Sequence, residues 1–177
     1  IKSRIGIINI LNKMGAGIKF KRKKIYNGEE ISDIYVKSKT KLKYINCPSK
    51  LNSSAIDEFL IIFLVAAKAK GISKFRNLGE MNKKESKRLD LGVKFLRLIG
   101  IKVERFNNDI KIYGNPDLVL TKEYEIKNFL KDHRIFFLSC ITALSLGGKW
   151  KINDKKSANT SFPEFLKILK KIGAKIN

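Results

Sequence analysis

The eight residues 96–103, with the sequence LRLIGIKV, contain the end of a helix, a glycine and the start of a strand. Apolar residues upstream of Gly100 recur at three- and four-residue intervals, which is the period of a helix, and glycine commonly follows a helix end. The same pattern occurs at residues 11–18, LNKMGAGI, and at residues 169–176, LKKIGAKI. Three copies of one helix–glycine–strand pattern predict an internal repeat.

A second kind of helix alternates with the first. We predict one such helix over residues 57–70 and another over residues 132–146, each ending at a glycine and followed by a short strand. Asp57 and Asp132, which begin these helices, are 75 residues apart. The strands predicted between the helices cover residues 18–20, 31–36, 72–75, 101–103, 110–113 and 149–152.

The repeats predict an α/β (α+β) architecture in which helices cover one face of a mixed sheet. Residues 1–50 form an incomplete first repeat, and residues 51–120 and 121–177 form two further repeats, all within one domain. Because the first repeat lacks its first helix, we expect the sequence to begin inside a repeat, with an amino-terminal part preceding it.

The net charge of +22 is the strongest compositional signal. A basic surface favours anionic partners such as nucleic acid, acidic lipid or phosphorylated metabolites. The lysines are scattered along the whole chain, however, and the clusters at residues 21–24 and 170–171 lack interleaved aromatic residues that would stack on bases. We therefore interpret most of the charge as solvated surface. Nucleic-acid binding is the second interpretation. No membrane partner is expected, because the most apolar run, residues 59–67, is too short to span a bilayer.

Cysteine and histidine are scarce. Cys47 and Cys140 lie far apart, and His133 is the only histidine. These residues are too few for a disulfide framework or a transition-metal site. We expect two reduced thiols, a cytoplasmic location and no metal.

Charged residues gather where helices are predicted to begin. The segment 80–88, EMNKKESKR, opens the helix that ends before Gly100, and residues 132–134, DHR, open another. Cations at a helix amino terminus are unfavourable unless an anion such as phosphate or carboxylate is held nearby, because that end carries partial positive charge. By themselves such cations are more typical of a solvated surface, and an acid such as Asp57 is more typical of a dipole partner than of a catalyst.

Four motifs follow one another along the chain: IDE at residues 56–58, KESKR at 84–88, DHR at 132–134 and TSFPEF at 160–165. In this order and spacing the series resembles 5-enolpyruvylshikimate-3-phosphate synthase, and the resemblance covers nearly all 177 residues. It implies a two-domain fold of repeated helix-and-sheet units, of which this chain supplies most of one domain. It also implies transfer of the enolpyruvyl group from phosphoenolpyruvate to shikimate 3-phosphate in aromatic amino-acid (chorismate) biosynthesis, without a metal or organic cofactor.

The resemblance implies roles for individual residues by position. Asp57 would be the carboxylate near the attacking hydroxyl, a candidate base, and Glu85 the proton donor and acceptor at C3 of phosphoenolpyruvate. Lys84 would contact the shikimate side, and Arg88 and Arg134 would hold phosphoenolpyruvate, whose phosphate and carboxylate suit a site with several fixed cations. The missing amino-terminal part of the same enzyme would supply the rest of the site, so we expect this chain to be inactive alone.

Three residues depart from the family's pattern. Asn82 stands where an arginine is usual, Lys87 where an aspartate or asparagine is usual, and Leu60 where a proline is usual. These departures leave open a non-functional remnant of the enzyme, beside the basic nucleic-acid-binding module that the charge favours. We set aside the related enolpyruvyl transferase that acts on a UDP-aminosugar, because it is not expected to combine the KESKR and DHR motifs.

Overall fold

The computed structural model describes residues 5–38, 41–127, 129 and 131–176 of the chain. The chain consists of two compact units, one ending at Asp117 and the other beginning at Leu118. Both units contain helices and strands, so the fold belongs to the α/β (α+β) class. Within the described ranges, no helix is both long enough and apolar enough to cross a membrane.

The amino-terminal unit is built from helices, a three-stranded sheet and a two-stranded ribbon. Its helices are α1 (Gly6–Lys13), α2 (Asn52–Ala55), α3 (Phe59–Lys68) and α4 (Arg88–Leu98), and 3₁₀ turns cover Ser49–Leu51 and Gly79–Lys83. Its strands are β1 (Lys19–Tyr26), β2 (Glu29–Tyr35), β3 (Gly71–Phe75), β4 (Val103–Phe106) and β5 (Asp109–Gly114). Strand β5 lies between β3 and β4 in an antiparallel sheet, and β1 pairs with β2 in a separate antiparallel ribbon.

The glycine caps that define the repeat are confirmed. Gly15, Gly100 and Gly173 have positive φ angles of 95°, 82° and 100°. In each copy the residue after the glycine donates a backbone hydrogen bond to the carbonyl five positions earlier, at 3.0, 2.9 and 3.0 Å respectively. This is the Schellman geometry, which favours glycine because other residues are strained at positive φ.

Helix α3 is the centre of the core of the amino-terminal unit. Seven of its ten residues are buried, so it is surrounded by protein on nearly all sides. Phe59 and Phe63 pack edge-on against Phe75 of β3, with ring centroids 6.0 and 5.2 Å apart. The helix also packs against α1, α4 and β5. This packing fixes the residues just before α3, among them Asp57.

Two of the predicted helix starts are wrong. Helix α3 begins at Phe59, and Asp57 lies in the turn before it rather than in the helix. Helix α4 begins at Arg88, so residues 80–87 precede it. The backbone is extended at Lys84, whose ψ angle is -169°, and this separates the 3₁₀ turn from α4. The cations of this segment other than Arg88 therefore lie outside the helix.

The carboxy-terminal unit combines two strands with two helices. Its elements are β6 (Glu123–Ile126), α5 (His133–Leu146), β7 (Lys149–Ile152), a 3₁₀ turn (Lys155–Thr160) and α6 (Phe165–Lys171). Strands β6 and β7 pair in parallel. The helix predicted over residues 132–146 is confirmed, with Asp132 as its N-cap residue. The core of this unit contains Phe136, Cys140, Ala158, Phe165 and Leu169.

Candidate active site

Four of the predicted site residues meet around one buried guanidinium in the amino-terminal unit. Arg88 Nη1 is 3.5 Å from Asp57 Oδ1, and Arg88 Nη2 is 2.5 Å from Glu85 Oε2. Lys84 Nζ lies 3.5 Å from the same Asp57 oxygen. Two cations therefore share one carboxylate oxygen. We refer to Asp57, Lys84, Glu85 and Arg88 as the Arg88 cluster.

The side chains of the Arg88 cluster differ in exposure. Arg88 is 2% exposed and Asp57 is 16% exposed, whereas Lys84 and Glu85 are 34% and 65% exposed. A charge in the protein interior is costly unless it is paired and hydrogen-bonded, so the burial of Arg88 depends on its carboxylate partners. The cluster is thus anchored at Arg88 and opens to solvent at Glu85.

Asp57 is held by the turn that joins α2 to α3. The turn is closed by a hydrogen bond of 3.0 Å from Glu58 N to the Ala55 carbonyl. Ala55 and Phe59, on either side of the turn, are both 0% exposed. The Asp57 carboxylate is therefore presented from a turn whose two ends are fixed in the core.

The segment that carries the other three members of the cluster is fixed at two buried points. Ser86 is 6% exposed, and its carbonyl accepts a hydrogen bond of 2.8 Å from Arg88 N. The two buried residues are Ser86 and Arg88; Lys87 between them and Glu85 before them are exposed. Because every second side chain is buried, the segment places Arg88 inside and Glu85 at the surface.

Asn82, which departs from the family's pattern, also has a defined place beside the cluster. Its Oδ1 accepts hydrogen bonds from Leu89 N at 3.0 Å and from Asp90 N at 3.4 Å, and its Nδ2 donates to Asp90 Oδ1 at 2.9 Å. Asp90 Oδ1 also pairs with Arg105 Nη1 at 2.5 Å. Asparagine is a preferred capping residue. This role is not apparent from the sequence, because five residues separate Asn82 from the start of α4.

The Asp90 carboxyl is held in its charged form by these neighbours. Burial alone raises the pKa of Asp90, but hydrogen bonds from Asn82 and Arg105, together with the charges of Arg105 and Lys87, outweigh it. The pKa of Asp90 therefore lies below its ordinary value. At neutral pH, α4 accordingly has a negative charge in its first turn, where the helix dipole favours one.

Arg134 lies in the carboxy-terminal unit, as the second residue of α5. Its backbone N–H donates to Asp132 Oδ1 at 2.9 Å, and the Asp132 carbonyl accepts from Ile135 N and Phe136 N, both at 3.1 Å. Asp132 is 4% exposed. A buried N-cap residue that satisfies the first amides of a helix fixes the backbone there. Arg134 is therefore carried on a rigid helix start.

The Arg88 cluster combines the two chemical functions that the sequence motifs indicate. Arg88 and Lys84 carry donors suited to phosphate or carboxylate oxygens. Asp57 and Glu85 are two carboxylates from which protons can be accepted or donated when a substrate lies within reach. An anion that binds here must share these cations with the carboxylates that already pair with them. The arrangement therefore suits a reaction in which an anionic substrate is held while protons move.

The solved structures that share this arrangement of elements include an EPSP synthase and another enolpyruvyl transferase. An EPSP synthase from Acinetobacter baumannii matches with a TM-score of 0.84 and 31% sequence identity, over 97% of this chain and 39% of that chain. The enolpyruvyl transferase NikO from Streptomyces tendae matches with a TM-score of 0.67 at 14% identity, over 98% of this chain and 36% of that chain, which is a likeness of fold alone. The structure thus has the enolpyruvyl transferase fold.

Sequence comparison narrows this class to one family. The family model for EPSP synthase (3-phosphoshikimate 1-carboxyvinyltransferase) matches residues 2–169, and the chain belongs to this family. The 3-phosphoshikimate 1-carboxyvinyltransferases of Ruthia magnifica subsp. Calyptogena magnifica and Clostridium tetani are 36% and 34% identical to it, over 99% and 96% of this chain. The chain spans 39% and 38% of the length of these two relatives. The family and the α/β fold that the motifs indicate are confirmed.

Proposed function

We propose that this chain carries part of the active site of an enzyme that transfers the enolpyruvyl group from phosphoenolpyruvate to shikimate 3-phosphate in chorismate biosynthesis. The observation that carries the proposal is the Arg88 cluster, in which two motifs meet: the Asp57 carboxylate pairs with Lys84 and with Arg88, which lie 27 and 31 positions later in the chain. Arg88 pairs in addition with Glu85. Family membership supplies the reaction, and the cluster supplies groups with the right charges. A cytoplasmic location, where Cys47 and Cys140 stay free thiols, is part of this proposal.

The reaction assigns separate tasks to the two carboxylates. The ring hydroxyl of shikimate 3-phosphate loses a proton and its oxygen bonds to C2 of phosphoenolpyruvate, while C3 gains a proton. In the second stage C3 loses a proton, the bond between C2 and the phosphate oxygen breaks, and phosphate leaves. We assign the hydroxyl proton to Asp57 and the C3 proton to Glu85. The exposure of Glu85 supports a role in which it reaches a bound substrate.

The cations have binding tasks in this proposal. By their positions in the family's motifs, we assign Arg88 and Arg134 each to phosphoenolpyruvate and Lys84 to the shikimate side. Guanidinium groups suit these anions because their donors match two oxygens at once. Both arginines stand at well-fixed helix starts, which supports binding by groups that are positioned in advance.

The partner in this proposal is the amino-terminal part of the same enzyme. Strand β5 has a strand neighbour on each edge, β4 on one and β3 on the other. Strand β2 is its counterpart in the first repeat, because it follows an equivalent helix and glycine cap. Within the described residues, β2 pairs with β1 only. Ile34 of β2 is 57% exposed, while Ile110 and Ile112 of β5 are 2% and 0% exposed. A strand with one strand neighbour and exposed apolar side chains can pair with a further strand. The difference supports a partner segment that lies outside this chain.

The activity is tested by placing this chain in a complete enzyme. Residues 5–176 replace the matching part of the Acinetobacter baumannii EPSP synthase, and phosphate release from phosphoenolpyruvate and shikimate 3-phosphate is measured. We expect turnover by the chimera and none by this chain alone, because catalysis needs both substrates held together. Arg88→Ala in the chimera is expected to lower kcat/KM about 100-fold, through loss of a charge-assisted contact. Turnover by the isolated chain, or a folded chimera without activity, contradicts the proposal.

A titration separates the enzyme from a nucleic-acid-binding module. The isolated chain and its Arg134→Ala variant are titrated with phosphoenolpyruvate and with RNA oligomers of two lengths, at two salt concentrations. We expect weak phosphoenolpyruvate binding that falls roughly ten- to 100-fold in the variant, as for the loss of one charge-assisted hydrogen bond. RNA binding that strengthens with length, weakens steeply with salt and ignores Arg134 would indicate a nucleic-acid module instead.

A further inference from the structure

Asn82 occupies the position at which the first turn of α4 needs hydrogen-bond acceptors. The first amides of a helix have no partner within the helix. Lys87, the residue before α4, makes no side-chain cap. The Asn82 side chain supplies this acceptor from outside the helix, through its bonds to the amides of Leu89 and Asp90.

The residue that this cap holds most directly is Arg88. Leu89, whose amide bonds to Asn82, is 0% exposed and immediately follows Arg88, which is the first residue of α4. The Arg88 amide is bound on its other side by the Ser86 carbonyl. The backbone of Arg88 is thus fixed from both directions, and its guanidinium points to Asp57 and Glu85.

Asn82 also orients a second side chain at the same helix start. Its amide group donates to Asp90 Oδ1, the oxygen that pairs with Arg105 of β4. Arg105 in turn donates from Nε to the Asn107 carbonyl in the turn between β4 and β5. Through Asp90 and Arg105, Asn82 therefore connects the start of α4 to the edge of the sheet.

We infer that Asn82 is a positioning residue for the anion site, which acts by holding Arg88 at the start of α4 and does not itself touch substrate. The inference rests on the proposed function for the role of Arg88. The family pattern suggests that asparagine in place of the usual arginine is unfavourable at this position, whereas this inference makes Asn82 favourable for the anion site. Restoring the usual arginine should weaken phosphoenolpyruvate binding, because an arginine side chain has no acceptor for the amides of Leu89 and Asp90.

Four variants of the chain test this inference. Asn82→Ala removes the cap, and Asn82→Arg restores the family's usual residue. The double variant Asn82→Asp with Asp90→Asn exchanges the two side chains, so that an acceptor still faces the amides and a donor still lies between the two residues. Asn9→Ala is the matched control, because Asn9 is an exposed asparagine within α1.

Two readouts by NMR separate positioning from general stability, at a temperature where far-UV circular dichroism shows each variant folded. The first is the hydrogen-exchange rate of the Arg88 guanidinium, which reports how well it is held by Asp57 and Glu85. The second is the dissociation constant for phosphoenolpyruvate. In Asn82→Ala and Asn82→Arg we expect both to rise about tenfold, the effect of losing one cap. The exchanged pair and Asn9→Ala are expected to stay within about threefold of the parent chain, because they keep the cap.

The outcomes distinguish this inference from the proposed function. Unchanged Arg88 exchange and phosphoenolpyruvate affinity in folded Asn82→Ala would overturn the inference, as would tighter binding by Asn82→Arg. If Asn82→Ala does not fold, loss of affinity in a folded exchanged pair overturns it equally. If Arg88→Ala leaves phosphoenolpyruvate binding unchanged, the proposed function fails, while the exchange rate of Arg88 in the Asn82 variants still decides whether Asn82 positions it.

Discussion

Arg88 and Asp57 are paired at 3.5 Å across the core of the amino-terminal unit, with the cation 2% exposed and the carboxylate 16% exposed. The two residues are 31 positions apart in the sequence and come from different elements, the start of α4 and the turn before α3. The pair joins the start of α4 to the turn before α3, so it affects the stability of the fold as well as the proposed chemistry.

The first prediction is that Arg88→Ala destabilises the chain. The substitution removes the cation paired with the partly buried Asp57 carboxylate while its pair with Lys84 stays, and breaking a buried pair on one side is costly. We expect a loss of about 2–3 kcal/mol in the free energy of unfolding, below the range for fully buried pairs because Glu85 is exposed. Urea unfolding measures this loss.

The matched control is Arg22→Ala, which removes an exposed ion pair of 3.3 Å between Arg22 and Asp33, with side chains 87% and 62% exposed. This control should lose less than about 0.5 kcal/mol in the free energy of unfolding. Equal losses in both variants would contradict the prediction.

Local sequence signals predicted the repeating helix ends because each depends on neighbouring residues. An apolar period of three to four followed by glycine is enough to specify the caps at Gly15, Gly100 and Gly173, and Asp132 is a preferred N-cap residue next to the helix that it caps. These elements need no contact with a distant part of the chain. Their boundaries were accordingly predicted well.

Elements that depend on distant residues were predicted poorly. The start of α4 is set by the Asn82 side chain, six positions before the first residue of the helix, and by the extended backbone at Lys84. Strand β6, with the sequence EYEI, was not predicted, because it forms through parallel pairing with β7 more than 20 residues later. Strand β1 continues to Tyr26, well beyond the predicted residues 18–20, because its lysine-rich half pairs with β2.

The candidate site was predicted in part. The resemblance identified the charged residues of the Arg88 cluster, which the structure brings together. Their geometry differs from the sequence prediction, because Asp57, Lys84 and Glu85 lie in turns and extended backbone rather than in the first turns of helices. Composition and spacing do not reveal the capping role of Asn82, since that role depends on where the helix begins.

The second prediction is that Gly114→Ala strongly destabilises the amino-terminal unit. A Cβ atom on Gly114 would lie 2.0 Å from the Ala69 carbonyl oxygen and 2.7 Å from that of Ala66, so the backbone at the end of α3 must move. We expect a loss of about 3 kcal/mol in the free energy of unfolding, at the upper end of overpacking effects. Gly28→Ala is the control: it meets no atom within 4 Å but has a φ of +79°, so it should cost only about 1 kcal/mol. A larger loss in Gly28→Ala would show that backbone strain outweighs the close contact.

The third prediction concerns the two thiols. Cys47 and Cys140 are 3% and 8% exposed, and burial raises the pKa of each to about 11. Since the thiolate is the reactive form, alkylation by iodoacetamide at pH 7.5 should be at least roughly 100-fold slower than in the unfolded chain. Mass spectrometry of time points with and without 6 M guanidinium chloride measures both rates. Fast labelling of either cysteine in the folded chain would mean that its site opens readily.

The last prediction links Asp90 to stability in acid. Its pKa is lower in the folded chain than in the unfolded chain, so protonation favours unfolding. Its contribution is therefore fully present above the unfolded pKa of about 3.9 and is lost as the pH falls through the lower folded pKa. Because Asp90 is 41% exposed and screened by solvent, the effect should be small and should weaken with salt.

Urea midpoints of the parent chain and of Asp90→Asn, measured from pH 6 to pH 2, check it. We expect the parent to be more stable above pH 5 and the difference to shrink towards pH 2. The same comparison is made in an Arg105→Gln background, which lacks the cation paired with Asp90. There the difference in stability between Asp90 and Asp90→Asn should already be smaller at pH 6. A difference between parent and Asp90→Asn that stays constant over the whole range would show that Asp90 does not titrate as its hydrogen bonds indicate.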